Sequence, residues 1–354
     1  MAALFTPFTI RGVTFSNRSW VSPMCQYSAR DGLATTWHDV HIGSFATGGT
    51  GLIMMEATGV TPEGRISTTC LGLWNDEQRD RLRPIVEFAH SMGTKIGIQL
   101  AHAGRKASCL APWSDHPIAS KVEGGWDCVA PSAVSFGGKY PVPKELTKTE
   151  IAELVQAFAN AATRAVEAGF DLVEIHAAHG YLIHQFLSPI SNLRTDQYGG
   201  SFENRIRFIS EIVEAVRAVI PESTPLFVRI SASDWLEGGW SIEESVQLAK
   251  ILNVAGVDLM DVSSGGTSSG APVPVGPGYQ VPFAEAIRRE AEIPTAAVGL
   301  ITEPKQAEEI VASGAADAIF MARELLRNPR WPLLAAAELG AEIDWPPQLL
   351  RGKL

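Results

Sequence analysis

Eight short apolar runs, each followed by a segment of helical period, follow one another in a single direction along this chain. The runs are Trp20–Tyr27, Gly51–Thr58, Lys95–His102, Leu172–Ile175, Pro225–Ile230, Val257–Val262, Pro294–Val298 and Asp317–Met321. Continuous apolar runs of that length read as strands buried on both faces. Helical patterns cover 36–47, 76–91, 202–219, 242–255, 283–291 and 304–313. Thr147-x-x-Glu150 forms a capping box before one more, whose Ile151, Leu154, Val155, Phe158 and Ala162 mark one face. A right-handed crossover repeated eight times closes on itself, so the expected fold is α/β, a (β/α)8 TIM barrel occupying 1–354 as one domain. A doubly wound open sheet is the alternative. No G-x-G-x-x-G follows any strand, which counts against a Rossmann-type dinucleotide domain.

Two segments break the pattern. Residues 103–146, rich in Gly, Pro and Trp, are too long for an ordinary loop and predict a lid or hairpin excursion after the third strand. Residues 263–281 are dense in Gly, Ser and Pro. Hydrophobic residues at 45% and charged ones at 19% leave ample material for a large core. A net charge of −10 argues against nucleic-acid or anionic-membrane partners. No apolar stretch reaches the roughly 18 residues of a membrane span, and the N-terminus lacks a charged region followed by an apolar one. Cys25, Cys70, Cys109 and Cys128 show no C-x-x-C spacing, which fits reduced thiols in a cytoplasm.

Strand carboxyl ends converge on one mouth of a barrel. The fourth strand runs out into His176-Ala-Ala-His179-Gly-Tyr181, which puts two imidazoles and a phenol beside a glycine that permits a sharp turn. Two neutral imidazole N–H groups can hold one oxygen, and a nearby phenol can supply a proton. The H-x-x-H spacing also suits a metal pair with His184 as third ligand, but the helical H-E-x-x-H signature is absent. The other ends present Ser22-Pro-Met-Cys25 and Tyr27, Glu56-Ala57-Thr58, Gln99 and His102, Arg229, Gly299, and Ala322-Arg323. Small residues at the last two ends are where barrels commonly hold a phosphate, so the inventory suits a planar, phosphate-bearing cofactor and no metal.

These motifs are similar to those of the old yellow enzyme family of FMN-dependent ene-reductases, in its xenobiotic-reductase-like class. The resemblance rests on Ser22-Pro-Met-Cys-Gln-Tyr27, Glu56-Ala-Thr58, Gln99-Leu-Ala-His-Ala-Gly-Arg-Lys106, His176-Ala-Ala-His-Gly-Tyr181, the stretch from Ser191 to Ser201, and Arg323-Glu-Leu-Leu-Arg327. It implies FMN, with NADPH or NADH as reductant. It places Ser22, Pro23, Met24, Cys25, Ala57, Gln99 and Arg229 around the isoalloxazine, and Gly299, Ala322 and Arg323 near the phosphate. His176 and His179 would polarise the substrate's carbonyl or nitro group, hydride would reach Cβ, and Tyr181 would protonate Cα. Tyr27 would close the pocket, and Arg105 and Lys106 would shape its entrance. The implied substrates are small enones, enals, maleimides or nitroalkenes.

The class also implies that Cys25 adjusts the flavin potential, and that Arg351 reaches a neighbouring subunit's site in a homodimer or homotetramer. Ala322 stands where the family commonly has Gly. Larger flavin barrels that demethylate or reduce dienoyl-CoA carry an iron–sulfur domain, for which no clustered cysteines exist in this sequence. A non-catalytic flavin- or metal-binding barrel is the remaining alternative.

Overall fold

The computed structural model describes residues 2–353. An antiparallel hairpin, β1 (Phe8–Ile10) and β2 (Val13–Phe15), leads into the barrel. The barrel strands are β3 (Ser19–Val21), β4 (Leu52–Gly59) and β5 (Lys95–Ala101), then, past the short β6 (Val129–Ala130) and β7 (Lys144–Glu145), β8 (Leu172–Ala177), β9 (Leu226–Ser231), β10 (Leu259–Ser263), β11 (Thr295–Ala297) and β12 (Ala318–Met321). The eight are all parallel and close in the order β3-β4-β5-β8-β9-β10-β11-β12, so the barrel expected from the sequence is present.

Helices α1 (Thr36–Ala46), α2 (Asp76–Ser91), α3 (Lys148–Ala168), α4 (Leu182–Leu187), α5 (Phe202–Arg205), α6 (Arg207–Val219), α7 (Ile242–Val254), α8 (Val281–Ala291), α9 (Pro304–Ala312), α10 (Arg323–Arg327) and α11 (Trp331–Glu338) complete the chain. The capping box before α3 forms as read: Thr147 N donates to Glu150 Oε2 at 2.8 Å, and Glu150 N donates to Thr147 Oγ1 at 3.2 Å. The helix expected over 202–219 is instead split at Ile206. The first strand ends at Val21 rather than Tyr27, because Pro23 offers no N–H to continue a ladder. Within the excursion over 103–146, Cys109 pairs antiparallel with Ile118, and β6 and β7 pair in parallel.

Side chains on a strand alternate faces, and this period layers the barrel interior. Leu52, Met54, Leu172, Phe227, Leu259, Ala296, Ala318 and Phe320 pack with Trp20 and with Phe15 of the hairpin into an apolar plug. Each large side chain taken from water there contributes roughly 1.5–3 kcal/mol. Two residues further along the same strands, the inward positions become Glu174, Arg229 and Asp261. Two further still stand His176, Ser231 and Ser263. The plug closes the amino-terminal end, so polar inward residues collect at the carboxyl end.

Candidate active site

In the layer above the plug, Gln99 donates through Nε2 to Glu174 Oε1 at 2.8 Å. Arg229 Nε lies 3.1 Å from Asp261 Oδ2, and Arg229 Nη1 donates to Ser22 Oγ at 3.2 Å. The guanidinium pairs directly with Asp261 and reaches Glu174 only through its charge. Burial, reinforced by the charge of Asp261, raises Glu174 well above the usual carboxylate range. Burial likewise pushes Asp261 up to about 6 against the pull of Arg229. Arg229 Nε and Glu174 Oε2 have no aligned hydrogen-bond partner. Unspent polar atoms in a buried layer fit a polar ring edge laid across the mouth.

Gly299, Ala322 and Arg323, the residues expected near a phosphate, follow β11 and β12. Gly299 has φ 129°, a conformation L side chains rarely adopt, and a Cβ there would crowd Gln280 Nε2 at 3.0 Å and the Tyr279 ring at 3.1 Å. Ala322 precedes α10, and the exposed Arg323 opens it, free to take a phosphate bidentately.

The imidazoles meet above Arg229. His179 Nδ1 lies 3.4 Å from His176 Nε2, and the two rings stand at 89°. Ala178 N donates to His176 Nδ1 at 3.2 Å, which leaves the ring proton on Nε2, pointing at His179. His179 Nε2 lies 2.8 Å from Ser263 Oγ. When that hydroxyl donates to Nε2, Nδ1 carries the proton and both inner nitrogens are donors. Burial, with Arg229 adding repulsion, holds both imidazoles well below their usual range and therefore neutral. The Tyr181 ring lies 5.0 Å from that of His176, and burial keeps its phenol protonated far above the ordinary range.

A strained turn holds this pair. His179 adopts φ 59° and Gly180 φ 71°, both left-handed. His179 N donates to Ser231 Oγ at 2.8 Å, and Lys106 Nζ donates to His179 O at 2.7 Å and Gly266 O at 3.1 Å. Burial pushes Lys106 down to about 8. Arg105 Nη2 donates to Thr267 O at 2.8 Å. Arg105 and Lys106 therefore tie the loops 103–146 and 263–281 to the mouth. His184 joins neither imidazole; it pairs with Asp234 at 3.0 Å, so it is not a third ligand beside His176 and His179.

The loop after β3 forms another wall. Ser22 is buried, Pro23 and Met24 are half-buried, and Cys25 packs with Tyr27, Tyr181 and Ala57. Tyr27 takes φ 52° and packs edge-on against Trp113 at 5.6 Å. Arg351 stands apart from the mouth. It lies exposed in a turn over Pro347–Gly352, whose Gln348 and Leu349 line a hollow with Thr47, Phe88 and Met92 at the carboxyl ends of α1 and α2. Sequence reasoning missed Glu174, Asp261 and Ser263. An acid inside an otherwise apolar strand was the available signal, because burying a carboxylate without a partner is costly.

A model of the NADH:flavin oxidoreductase / NADH oxidase family matches residues 3–342. An NADPH dehydrogenase of Geobacillus sp. (strain WCH70) is 54% identical over 351 residues, covering 99% of this chain and 98% of the relative. An old yellow enzyme homologue from Zymomonas mobilis superposes with TM-score 0.78 at 30% identity, over 97% of this chain and 94% of that one. A 2-naphthoyl-CoA reductase superposes with TM-score 0.86 at 27% identity, but this chain spans only 52% of its length. The donor set at the mouth and the match along nearly the whole sequence agree: the chain belongs to the NADH:flavin oxidoreductase / NADH oxidase family and is an old yellow enzyme-type oxidoreductase that uses FMN with NAD(P)H.

Proposed function

We propose that this enzyme reduces the activated C=C bond of small enones, enals, maleimides or nitroalkenes. The observation that carries the reading is the convergence of His176 Nε2 and His179 Nδ1, 3.4 Å apart, beside the Tyr181 phenol. Bound FMN, reduced by NADPH or NADH, supplies the hydride. The two neutral N–H donors hold the substrate's carbonyl or nitro oxygen and draw electron density from the olefin, leaving Cβ the electrophile. Tyr181 gives its proton to Cα, and burial suits it to act as an acid rather than a base near neutrality.

Of the chain's own residues, Ser22, Pro23, Met24, Cys25, Ala57, Gln99 and Arg229 would line the ring, and Gly299, Ala322 and Arg323 the phosphate. Tyr27 closes the substrate pocket. One pocket serves reductant and alkene in turn, so ping-pong kinetics are expected. No helix among the described residues is long and apolar enough to cross a membrane, and all four cysteines are free, which supports a cytoplasmic setting. A homodimer or homotetramer in which Arg351 enters a neighbour's mouth completes the proposal.

Anaerobic titration tests the reading. NADPH should bleach the yellow protein, and cyclohexenone should restore the colour. Bleaching without recovery by any enone or nitroalkene would refute the substrate class while leaving the NADPH half-reaction intact.

A further inference from the structure

Behind the wall that Cys25 would present to the ring, one group of potential ligand atoms remains unused by the imidazole machinery. The Sγ atoms of Cys25 and Cys70 and a carboxylate oxygen of Glu56 all lie within 4.8 Å of one another, the one such group among the described residues. We propose that Cys25, Cys70 and Glu56 form a binding site for a thiophilic divalent cation such as Zn2+ or Cd2+.

Three separate pieces of local structure bring these atoms together. Cys25 sits on the loop that Pro23 diverts out of β3. Cys70 closes a turn in which its N–H bonds to Ser67 O at 3.2 Å, with Ser67 Oγ 3.1 Å from its sulfur. Glu56 is carried by a bulge in β4: the register with β5 shifts between Met55 and Ala57, so Glu56 has no partner across the ladder. A bulge of this kind re-aims a side chain away from the pleat.

The chemistry of the set is selective. Two sulfurs and one carboxylate provide three ligands and leave a fourth position for water, the arrangement of an open tetrahedral site. Thiolates favour soft ions over Mg2+ or Ca2+. Glu56 is already oriented by its neighbours, with Oε1 3.2 Å from His38 Nε2 and Oε2 accepting from Gln26 N at 3.1 Å. Partners of this kind fix a ligand's orientation in metal sites. Cys109 and Cys128 do not join. Their sulfurs are engaged by loop carbonyls, Cys109 with Lys106 O at 3.3 Å and Cys128 with Ala107 O at 3.4 Å.

Thiols bind a cation as thiolates, so binding releases protons and affinity should rise with pH. Occupancy would turn Cys25 from a thiol into a metal-bound thiolate on the wall next to Tyr181 and Tyr27.

The experiment is a Cd2+ titration of the FMN-loaded enzyme, read by the ultraviolet thiolate-to-cadmium band and by proton release in weak buffer. The expected result is saturation at one Cd2+ per protomer accompanied by proton release. Mg2+ should give no response. Cys70→Ser, which keeps the packing volume but removes the thiolate, should abolish the band while retaining metal-free NADPH oxidation. Cys109→Ala and Cys128→Ala should keep it. Absence of a one-to-one band in the unaltered enzyme, or its persistence in Cys70→Ser, would overturn the proposal. Should Cys70→Ser fail to fold, Glu56→Gln serves instead: the site requires at least a tenfold weaker Cd2+ affinity there, and an unchanged affinity refutes it.

Discussion

Ser263 Oγ lies 2.8 Å from Nε2 of His179 and 3.3 Å from Gln280 Oε1, so one hydroxyl proton has two acceptors. Directed at His179 Nε2, it leaves the ring proton on Nδ1, facing His176. Ser263→Ala should raise KM for an enone about tenfold, the lower end of what losing a positioning partner costs. FMN content and the rate of NADPH-driven bleaching should stay unchanged, and Ser263→Thr should restore KM. A loss confined to the NADPH step would show that Ser263 supports the cofactor instead.

Tyr181→Phe separates the two half-reactions. Without the phenol, recolouring by cyclohexenone in stopped-flow should slow by roughly 10²–10⁴, the value of a positioned proton donor. Bleaching by NADPH should proceed at the original rate. Equal recolouring rates in both proteins would remove Tyr181 as the acid.

Gly180 has left-handed φ 71°, and a Cβ on it would lie 2.1 Å from Gly266 O. Neither backbone can give way, because Lys106 anchors Gly266 O and His179 O together. Gly180→Ala should cost about 1–3 kcal/mol from backbone strain alone, measured by denaturant unfolding, and should weaken enone binding through the displaced His179.

Asp234 is buried, which alone would raise its pKa. His184 at 3.0 Å, with Ser188 and Thr267 each donating at 2.6 Å, outweighs burial and holds it below the usual carboxylate range. A carboxylate depressed in the folded state stabilises it above the unfolded pKa of about 3.9, and that contribution is lost as pH falls. Asp234→Asn should therefore destabilise the protein at pH 7 by about 1–3 kcal/mol, the cost of breaking a buried hydrogen-bonded charge, and should flatten the acid limb of a stability–pH curve. An unchanged acid limb would show that Asp234 does not drive acid unfolding.

Removing residues 348–354 tests the tail. If Arg351 serves a neighbour's mouth, the truncated protein should show a raised KM for enones or a smaller assembly by sedimentation. Neither change would confine Arg351 to the surface of its own subunit.

The barrel was legible because alternation is a local property: Leu172, Val173 and Ile175 report a buried strand, and Thr147 with Glu150 reports a helix start, without reference to distant residues. His176, His179 and Tyr181 were legible for the same reason, being three reactive groups within six positions at one strand end. The excursion after β5 was not, since its parallel pairing of Val129 with Lys144 depends on a return path that no periodicity records. Nor were Glu174, Asp261 and Ser263 as members of the site, because only closure of the sheet sets them beside Gln99, Arg229 and His179. Cys25, Cys70 and Glu56 meet for a related reason, with a proline, a turn and a bulge each bending one segment toward the others. Local pattern determined which elements form and which way they face; tertiary structure decided which charges share a proton, because that depends on distance and burial rather than on spacing along the chain.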